Sequence, residues 1–196
     1  MKTFRETGEL WSMQLAHEAA VIASYRYRYL KEAEVAVKAI FAEMTDGRET
    51  PELIYAGSSK QSPEEYADVG RTEEVYRTLL TTRWEREIAA GCTLYGTHKD
   101  DVEILLNGVS ARLYASQGQQ RSLALALKLA EGVVCEKISG ELPVFLFDDV
   151  FSELDEGRRA YLSEKIRDKQ VIITSCDPSC VGSGRVIEVE NGTYRQ

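Results

Sequence analysis

The stretch "YASQGQQRSLALALKLAEG", Tyr114–Gly132, begins with small and amide residues and continues as a leucine–alanine run. Ser116 and Gln119 have the spacing of a capping box, which predicts that a helix begins directly after Ser116. The capping box does not explain Gly118, because a glycine in the first helical turn costs about 1 kcal/mol relative to alanine. A missing side chain there would let an anion approach the free amide groups of the helix N-terminus, where the macrodipole favours negative charge. The turn is therefore a candidate phosphate contact, with a purely structural cap as the alternative.

A second informative stretch is "PVFLFDDV" at 143–150, in which an apolar run leads directly into Asp148 and Asp149. The run is typical of a strand buried on both faces. A carboxylate at the carboxyl end of such a strand lies where an α/β fold binds its ligand. We expect Asp148 to hold Mg²⁺, which prefers oxygen ligands, and Asp149 to face the attacking water of a bound nucleotide. A strand followed by an acidic turn is the alternative.

The sequence downstream predicts a parallel α/β core. "FSELDEGRRAYLSEKIRD" at 151–168 has the pattern of a turn and an amphipathic helix, and Asp155 could serve as the N-cap of that helix. "QVIITS" at 170–175 predicts another buried strand, so that strand, helix and strand follow one another. "RVIEVENGTYR" at 185–195 predicts a final edge hairpin.

The N-terminal half of the chain predicts two long helices. No proline or glycine occurs between Glu9 and Met44, which favours one long helix or two helices in line. A bundle helix with a bend is the alternative. A capping box at Ser62 then begins a helical region that we expect to falter at Gly70, to continue to about Ala89 and to end at Gly91. The second helix could run back antiparallel to the first and form an arm. The apolar residues that we expect to pack along the first helix are Trp11, Leu15, Ile22, Tyr25, Tyr29, Leu30, Val37, Phe41 and Met44.

Three short alternating stretches, "CTLYGTH", "VEILLNG" and "ARLYA", predict an antiparallel sheet with a hairpin turn at Asn107–Gly108. The motif of His98, Lys99, Asp100 and Asp101 begins at the last residue of the first stretch and leads into the second. These side chains could form a metal or catalytic cluster. A charged turn in which an aspartate caps its own backbone is the interpretation that we favour.

Composition narrows the classes of function. The 196 residues carry a net charge of −8, which argues against strong nucleic-acid binding by this chain alone, although Arg26, Arg28 and Lys31 could form a local basic patch. The four cysteines lack zinc-site spacing, so we expect reduced and mostly buried thiols. The N-terminus lacks the apolar core of a signal peptide, and no apolar run approaches the ~20 residues that span a bilayer.

The order of these pieces resembles the C-terminal half of an ABC-type ATPase head of the SMC and DNA-repair kind. Within that group it resembles the RecF family of bacterial DNA replication and repair proteins. The resemblance runs from about Leu10 onward and rests on "YASQGQQRSLALALKLAE", "VFLFDDVFSELD" and "GTHKDDVEILLNG". It implies an α/β fold, with a helical, coiled-coil-like arm subdomain over 1–91 and the signature and Walker B lobe over 92–196.

The resemblance also implies roles for the two stretches described first. Ser116, Gly118 and Gln119 match the ABC signature, which in such proteins binds the γ-phosphate of a nucleotide held by the other subunit. Gln117 departs from the usual second glycine. Asp148 matches the Walker B acid that binds Mg²⁺. Asp149 occupies the position of the catalytic glutamate and is one methylene shorter, so slow hydrolysis is expected.

Other positions match the parts of the head that meet its partner. Ser152 and Asp155 match the D-loop, which crosses the dimer interface. Thr174 or Ser175 occupies the switch region, where the usual histidine is absent.

The sequence contains no G-x-x-x-x-G-K-[ST] motif, and without one the chain cannot cradle the phosphates itself. We therefore expect it to be the C-terminal part of a longer chain. ATP and Mg²⁺ would bind only to the full-length homodimer, which would be a weak ATPase, whereas this chain alone would be inactive. The implied partners are DNA near single-strand gaps, RecO and RecR, in the cytoplasm. The alternatives are a non-catalytic interaction module or an SMC-type homologue without a P-loop. The long first helix disfavours a transporter ATPase.

Overall fold

The computed structural model describes residues 2–176 and 184–195, with the side chains of residues 7–176 and 184–194. The helices are α1 Lys2–Thr45, α2 Val69–Thr82, α3 Trp84–Ala90, α4 Ala111–Tyr114, α5 Gln117–Ser139 and α6 Glu156–Lys165. The strands are β1 Pro51–Ala56, β2 Asp101–Leu106, β3 Val109–Ser110, β4 Phe145–Asp148, β5 Val171–Thr174, β6 Glu188–Glu190 and β7 Thr193–Arg195. Short 3₁₀ helices cover Pro63–Ala67, Thr97–Lys99 and Val150–Glu153.

The long first helix is confirmed, since α1 runs without interruption for 44 residues. Its C-terminal half buries the predicted residues Leu30, Val37 and Phe41. Between Trp11 and Tyr29 most of the predicted stripe is wrong. Leu15 packs, half-buried, against a small core, as predicted. The other large residues, Trp11, Ile22, Tyr25 and Tyr29, are exposed, and the buried positions are Ala16, Ala19, Ala20 and Ala23. Small side chains on this face let another helix approach closely, which large ones would prevent.

That second helix is α2, which runs antiparallel to α1 as the sequence suggested. The indole ring of Trp84 packs against Gly8, and α2 then follows α1 so that Glu73 bonds His17. The predicted interruption near Gly70 occurs two residues earlier, at Asp68, which is extended between the 3₁₀ helix Pro63–Ala67 and α2 and caps α2 with its side chain. A second break comes at Arg83, and Gly91 ends α3 in the left-handed conformation, as predicted.

The antiparallel sheet has the order β1–β2–β3. The hairpin turn is confirmed, with positive φ at Asn107 and Gly108. Two of the three strand predictions around it are wrong. "CTLYGTH" forms turns and a 3₁₀ helix, because Gly96 adopts a φ of 140° and is held by two hydrogen bonds with the Ser58 hydroxyl. In "ARLYA", Ala111 is buried in the core and the chain forms α4 there.

Helix α5 lies between two hydrophobic cores. On one side its residues pack with α1, β1 and β2, and on the other they pack with β4 and α6. The second contact is close, because the ring of Phe145 lies where Gly132 of α5 has no side chain. Strand β1 pairs along its length with β2, so the sheet joins residues on both sides of position 91. The division into 1–91 and 92–196 stays a prediction.

The parallel α/β unit β4–α6–β5 is confirmed, with Asp148 opposite Thr174 in the register. The prediction that these two strands are buried on both faces is wrong for the described residues. Phe145 and Phe147 point into the core, whereas Leu146 and Ile172 on the other face are 72% and 59% exposed. The final hairpin, β6–β7, forms as predicted. Among the described strands it pairs with neither of the other two sheets, so it is not an edge of either sheet.

The expectation of mostly buried thiols is wrong. Cys92, Cys135 and Cys176 are free and exposed, and Cys180 lies outside the described residues. Within the described part of the chain, no helix combines the length and the apolar character that crossing a membrane requires.

Candidate functional site

The capping box at the start of α5 forms as predicted. Gln119 N–H donates to the Ser116 hydroxyl at 3.3 Å, and Gln119 Oε1 accepts from Ser116 N–H at 2.7 Å. Ser116 is exposed, and Gly118 and Gln119 are half-buried. We call residues 116–119 the signature turn. It presents the N-terminus of a 23-residue helix to an open cavity.

That cavity, of about 490 Å³, is lined by the signature turn together with Arg48, Glu49 and Arg158. A methyl group added at Gly118 would meet only the Arg158 guanidinium, at 3.7 Å. No packing contact within the described fold therefore requires a glycine here. A helix N-terminus and two guanidinium groups would favour an anion in this cavity. The two guanidinium groups are paired with Asp46 and Asp155, and Glu49 adds a negative charge to the lining. Sequence reasoning missed both arginines, since neither belongs to a motif.

The side chain of Gln119 is held at both ends. Its oxygen accepts from Ser116 N–H, and its Nε2 donates to Glu49 Oε1 at 2.5 Å. Glu49 lies in the short connection between α1 and β1. The end of α1 is therefore connected to the signature turn through one side-chain hydrogen bond.

The two aspartates after β4 form the second part of the site, which we call the acidic edge. Asp148 is exposed, and its Oδ1 accepts from the Thr174 hydroxyl at 2.5 Å. Asp149 adopts a left-handed backbone with φ of 50°, and its N–H donates to the backbone carbonyl and the hydroxyl of Thr174, each at 3.1 Å. Positive φ is uncommon outside glycine, asparagine and aspartate. The carboxyl ends of β4 and β5 thus carry a cluster of oxygen ligands.

The carboxylate of Asp149 is unevenly satisfied. Its Oδ2 accepts from the Ser152 hydroxyl at 2.9 Å, whereas Oδ1 is buried with no hydrogen-bond partner among the described residues. A buried acceptor without a partner is costly, unless a group such as water or a cation supplies the contact. Ser175 follows Thr174 at the end of β5 and is half-buried.

Asp148 also lines a separate cavity of about 240 Å³ with Arg121 and Lys128 of α5. These two basic residues are seven positions apart and so share one face of the helix. That spacing is the signal from which they could have been found in the sequence. The signature turn does not line this cavity, so the signature turn and Asp148 open onto different cavities.

Asp155 and Arg158 connect the D-loop candidate to the signature turn. The Asp155 carboxylate accepts from Arg158 N–H as the N-cap of α6, at 2.9 Å, and also forms an ion pair with the Arg158 guanidinium. That guanidinium is the group nearest to the missing side chain of Gly118.

The motif at 98–101 has a structural explanation that the sequence did not reveal. Asp101 caps the local backbone as predicted, since it accepts from Val102 N–H at 2.8 Å. Asp100 instead accepts from Tyr55 Oη at 2.5 Å, Ser58 N–H at 2.6 Å and Tyr76 Oη at 3.3 Å. Burial raises the pKa of Tyr76 to about 12, and burial together with Asp100 raises that of Tyr55. Asp100 therefore joins β1 and α2. In the described part of the chain, no three His, Cys, Asp or Glu side chains form a metal-binding cluster.

The three basic residues that could form a patch on α1 each bond a different partner. Arg26 donates to Thr97 O at 2.6 Å and Arg28 to Ala67 O at 3.3 Å. Lys31 pairs with Glu34 at 3.2 Å. The three side chains thus tie α1 to different neighbours.

Comparison with known proteins agrees with this architecture. No protein-family model matches the chain. The chain is 41% identical over 175 residues to the DNA replication and repair protein RecF of Staphylococcus carnosus, across 89% of this chain and 47% of that protein. It is 39% identical over 191 residues to the RecF protein of Heliobacterium modesticaldum, across 94% of this chain and 50% of that protein.

Two solved structures of the recombination mediator protein RecF in the RecFOR pathway are similar, each at 32% identity over 95% of this chain and 49% of that chain. The structure described as RecF-ATPrS has a TM-score of 0.83, and the structure described as RecF-ATP has 0.81. The chain spans about half the length of the curated relatives that it matches. By sequence and by fold, the chain is a homologue of the DNA replication and repair protein RecF over about half of that protein's length, with the architecture of an α/β lobe of an ABC-type ATPase.

Proposed function

We propose that the chain is the C-terminal, signature and Walker B lobe of a RecF-type ATPase that acts in DNA repair as an ATP-dependent homodimer. The observation that carries the proposal is the register pair Asp148–Thr174 at the carboxyl ends of two parallel strands. Parallel α/β sheets bind their ligands at this edge. The exposed signature turn on another surface then meets the nucleotide held by the opposite subunit.

Each part of the site has a separate task in this proposal. Ser116 and the amide groups beside Gly118 bind the γ-phosphate, because they combine a hydroxyl, free N–H donors and the positive end of α5. Asp149 accepts a hydrogen bond from the attacking water, for which its unpaired buried Oδ1 is available. Ser152 orients that carboxylate by donating to Oδ2.

The acidic edge also fits Mg²⁺. The carboxylate of Asp148 and the hydroxyl of Thr174 are oxygen ligands of the kind that the ion prefers, either directly or through water. When bound, the ion would neutralise charge on the β- and γ-phosphates. Thr174 acts on this site by holding Asp148 Oδ1 at the edge of the sheet.

We extend the proposal to partners through the RecF relatives. The full-length homodimer binds DNA near single-strand gaps and acts with RecO and RecR in the cytoplasm. The net charge of −8 argues that this chain contributes little to non-specific binding of DNA by itself.

The test supplies the missing half in trans. The half of a RecF relative that this chain does not span is produced as a separate polypeptide and mixed with the chain, and association is followed by light scattering with and without ATP. We expect larger assemblies only with ATP, and slow hydrolysis. Asp149→Asn should preserve the association and reduce turnover at least tenfold, because asparagine tolerates the left-handed backbone but is a poor base.

A second candidate, a docking module without nucleotide chemistry, is favoured by the exposed apolar face of β4 and β5. Val144, Leu146 and Ile172 are about half exposed or more, and the first two line an open cavity of about 520 Å³. This candidate predicts association that is the same with and without ATP and in Asp149→Asn. That result would exclude the ATPase proposal.

A further inference from the structure

We infer that Glu49 is a positioning residue, which fixes the side chain of Gln119 and thereby connects the end of α1 to the affinity of the signature turn for nucleotide. The inference rests on the proposed function of that turn. It is carried by the contact between Glu49 Oε1 and Gln119 Nε2, at 2.5 Å.

The orientation of the Gln119 amide depends on this contact. Gln119 Oε1 must accept from Ser116 N–H to close the capping box, so its NH₂ group has to point the other way. Glu49 supplies an ionised acceptor at that point, and hydrogen bonds to charged groups are stronger than neutral ones. Without an acceptor there, the amide is free to rotate, and the capping box is weakened together with the donors of the turn.

The backbone around Glu49 is rigid enough to position another residue. Before it, α1 ends at Thr45 and is followed by Asp46 and Gly47, both in the left-handed conformation, and Arg48 Nε donates to the carbonyl of Thr45 at 2.8 Å. After it, Thr50 exchanges two hydrogen bonds with Asn107, at 2.8 and 2.9 Å. Glu49 is therefore fixed between the end of α1 and the hairpin of the antiparallel sheet.

The consequence is a coupling between two distant parts of the chain. A force that displaces the C-terminal end of α1 moves Glu49 and so disturbs the Gln119 amide. By the reciprocity of linked equilibria, a phosphate that orders the signature turn also favours this position of the end of α1. Helix α1 thus gains a route by which it can regulate nucleotide affinity.

The test compares Glu49→Leu, which lacks an acceptor, with Glu49→Gln, which retains one. The control is Asp46→Asn, which removes a charge from the same connection and tolerates its positive φ. In the chain alone, NMR should show the Gln119 side-chain NH₂ resonances shifted in Glu49→Leu, with much smaller changes in Glu49→Gln and none in Asp46→Asn.

The nucleotide arm uses the chain mixed with the RecF half that it does not span. In Glu49→Leu, the ATP concentration for half-maximal association should rise roughly tenfold, the loss typical of one hydrogen bond to a charged group. Turnover at saturating ATP should stay unchanged. Glu49→Gln should restore most of the affinity, a rescue that a general loss of stability would not show.

The outcomes separate the inference from the function on which it rests. A wild-type chain that associates with ATP, beside a Glu49→Leu variant with the same ATP dependence, would overturn the inference and leave the function standing. A wild-type chain without any ATP response would overturn both.

Discussion

Thr174 lies directly opposite Asp148 in the parallel sheet, and its one hydroxyl serves both members of the acidic edge. It donates to Asp148 Oδ1 and accepts from the backbone N–H of Asp149. A hydroxyl can do both at once because it carries a donor and lone pairs. Thr174 therefore couples the carboxylate of Asp148 to the backbone of Asp149, from which the Asp149 carboxylate projects.

The substitution Thr174→Val should remove the hydrogen bonds of the Thr174 hydroxyl without unfolding the protein. Valine has nearly the same shape and suits a strand, and Asp149 N–H keeps its bond to the Thr174 carbonyl. We expect a loss of about 1 kcal/mol in the free energy of unfolding, measured with urea. ATP turnover in the complemented dimer should fall about tenfold, whereas Thr174→Ser should retain most of it. Equal turnover in the valine and serine variants would exclude the coupling.

Replacing either of two glycines of α5 by alanine should change the stability of the protein, with opposite signs at the two positions. At Gly132 the new methyl group would lie 2.3 Å from the Phe145 ring, so we expect a loss of roughly 1–3 kcal/mol from overpacking. At Gly118 there is space, and alanine is the better helix former, so stability should rise or stay unchanged. Thermal unfolding of the two variants measures this contrast.

The Gly118→Ala variant should also differ from the wild type in ATP-dependent association. If the signature turn binds phosphate, Gly118→Ala should weaken ATP-dependent association although the protein is as stable as the wild type. A Gly118→Ala variant with normal ATP dependence would leave the glycine without the role that we propose for it.

Neighbouring aspartates of the 98–101 motif provide a matched test of the structural explanation. Asp100→Asn replaces the oxygen that accepts from Tyr55 and Tyr76, and should cost roughly 1–3 kcal/mol. Asp101→Asn keeps the oxygen that accepts from Val102 N–H at an exposed site, and should stay within about 0.5 kcal/mol of wild type. The free energy of unfolding of both variants, measured with urea, tests this explanation. Equal effects would contradict an anchoring role for Asp100.

Local signals in the sequence predicted much of this fold, because local physics fixes those elements. The capping box at Ser116, the Asn107–Gly108 turn and the strand ending at Asp148 each depend on neighbours within a few residues. The order of strand, helix and strand then implied the parallel pairing. These are also the residues on which the resemblance to the RecF family depends.

Tertiary contacts decided what the sequence could not predict. Ala16 and Ala19 are buried against Tyr76 and Leu80 of α2 while Trp11 is exposed, because the approach of α2 selects small residues, and no local pattern reveals that partner. The contact of Glu49 with Gln119 joins residues 70 positions apart. The backbone of Asp149 is likewise held by Thr174 of β5, 25 positions along the chain, a partner that its own motif does not reveal.

The docking of α2 on α1 should depend on pH through His17, whose Nδ1 lies 2.8 Å from Glu73 Oε2. The hydrogen bond with Glu73, together with its charge, raises the pKa of His17 above 6.5. The contribution of the pair to stability is therefore fully present below pH 6.5 and is lost as the pH rises through the folded-state pKa. His17 is 56% exposed, so the effect should be small and should weaken in salt.

NMR titration of His17 measures this directly. Glu73→Gln should lower the pKa of His17 toward 6.5, because it removes the charge that raises this pKa. The difference in unfolding midpoint between wild type and Glu73→Gln should be larger at pH 5.5 than at pH 8.5, because only protonated His17 forms the ion pair. A difference that is constant over this range, or that grows with pH, would show that Glu73 acts on the arm by another route than the charge of His17.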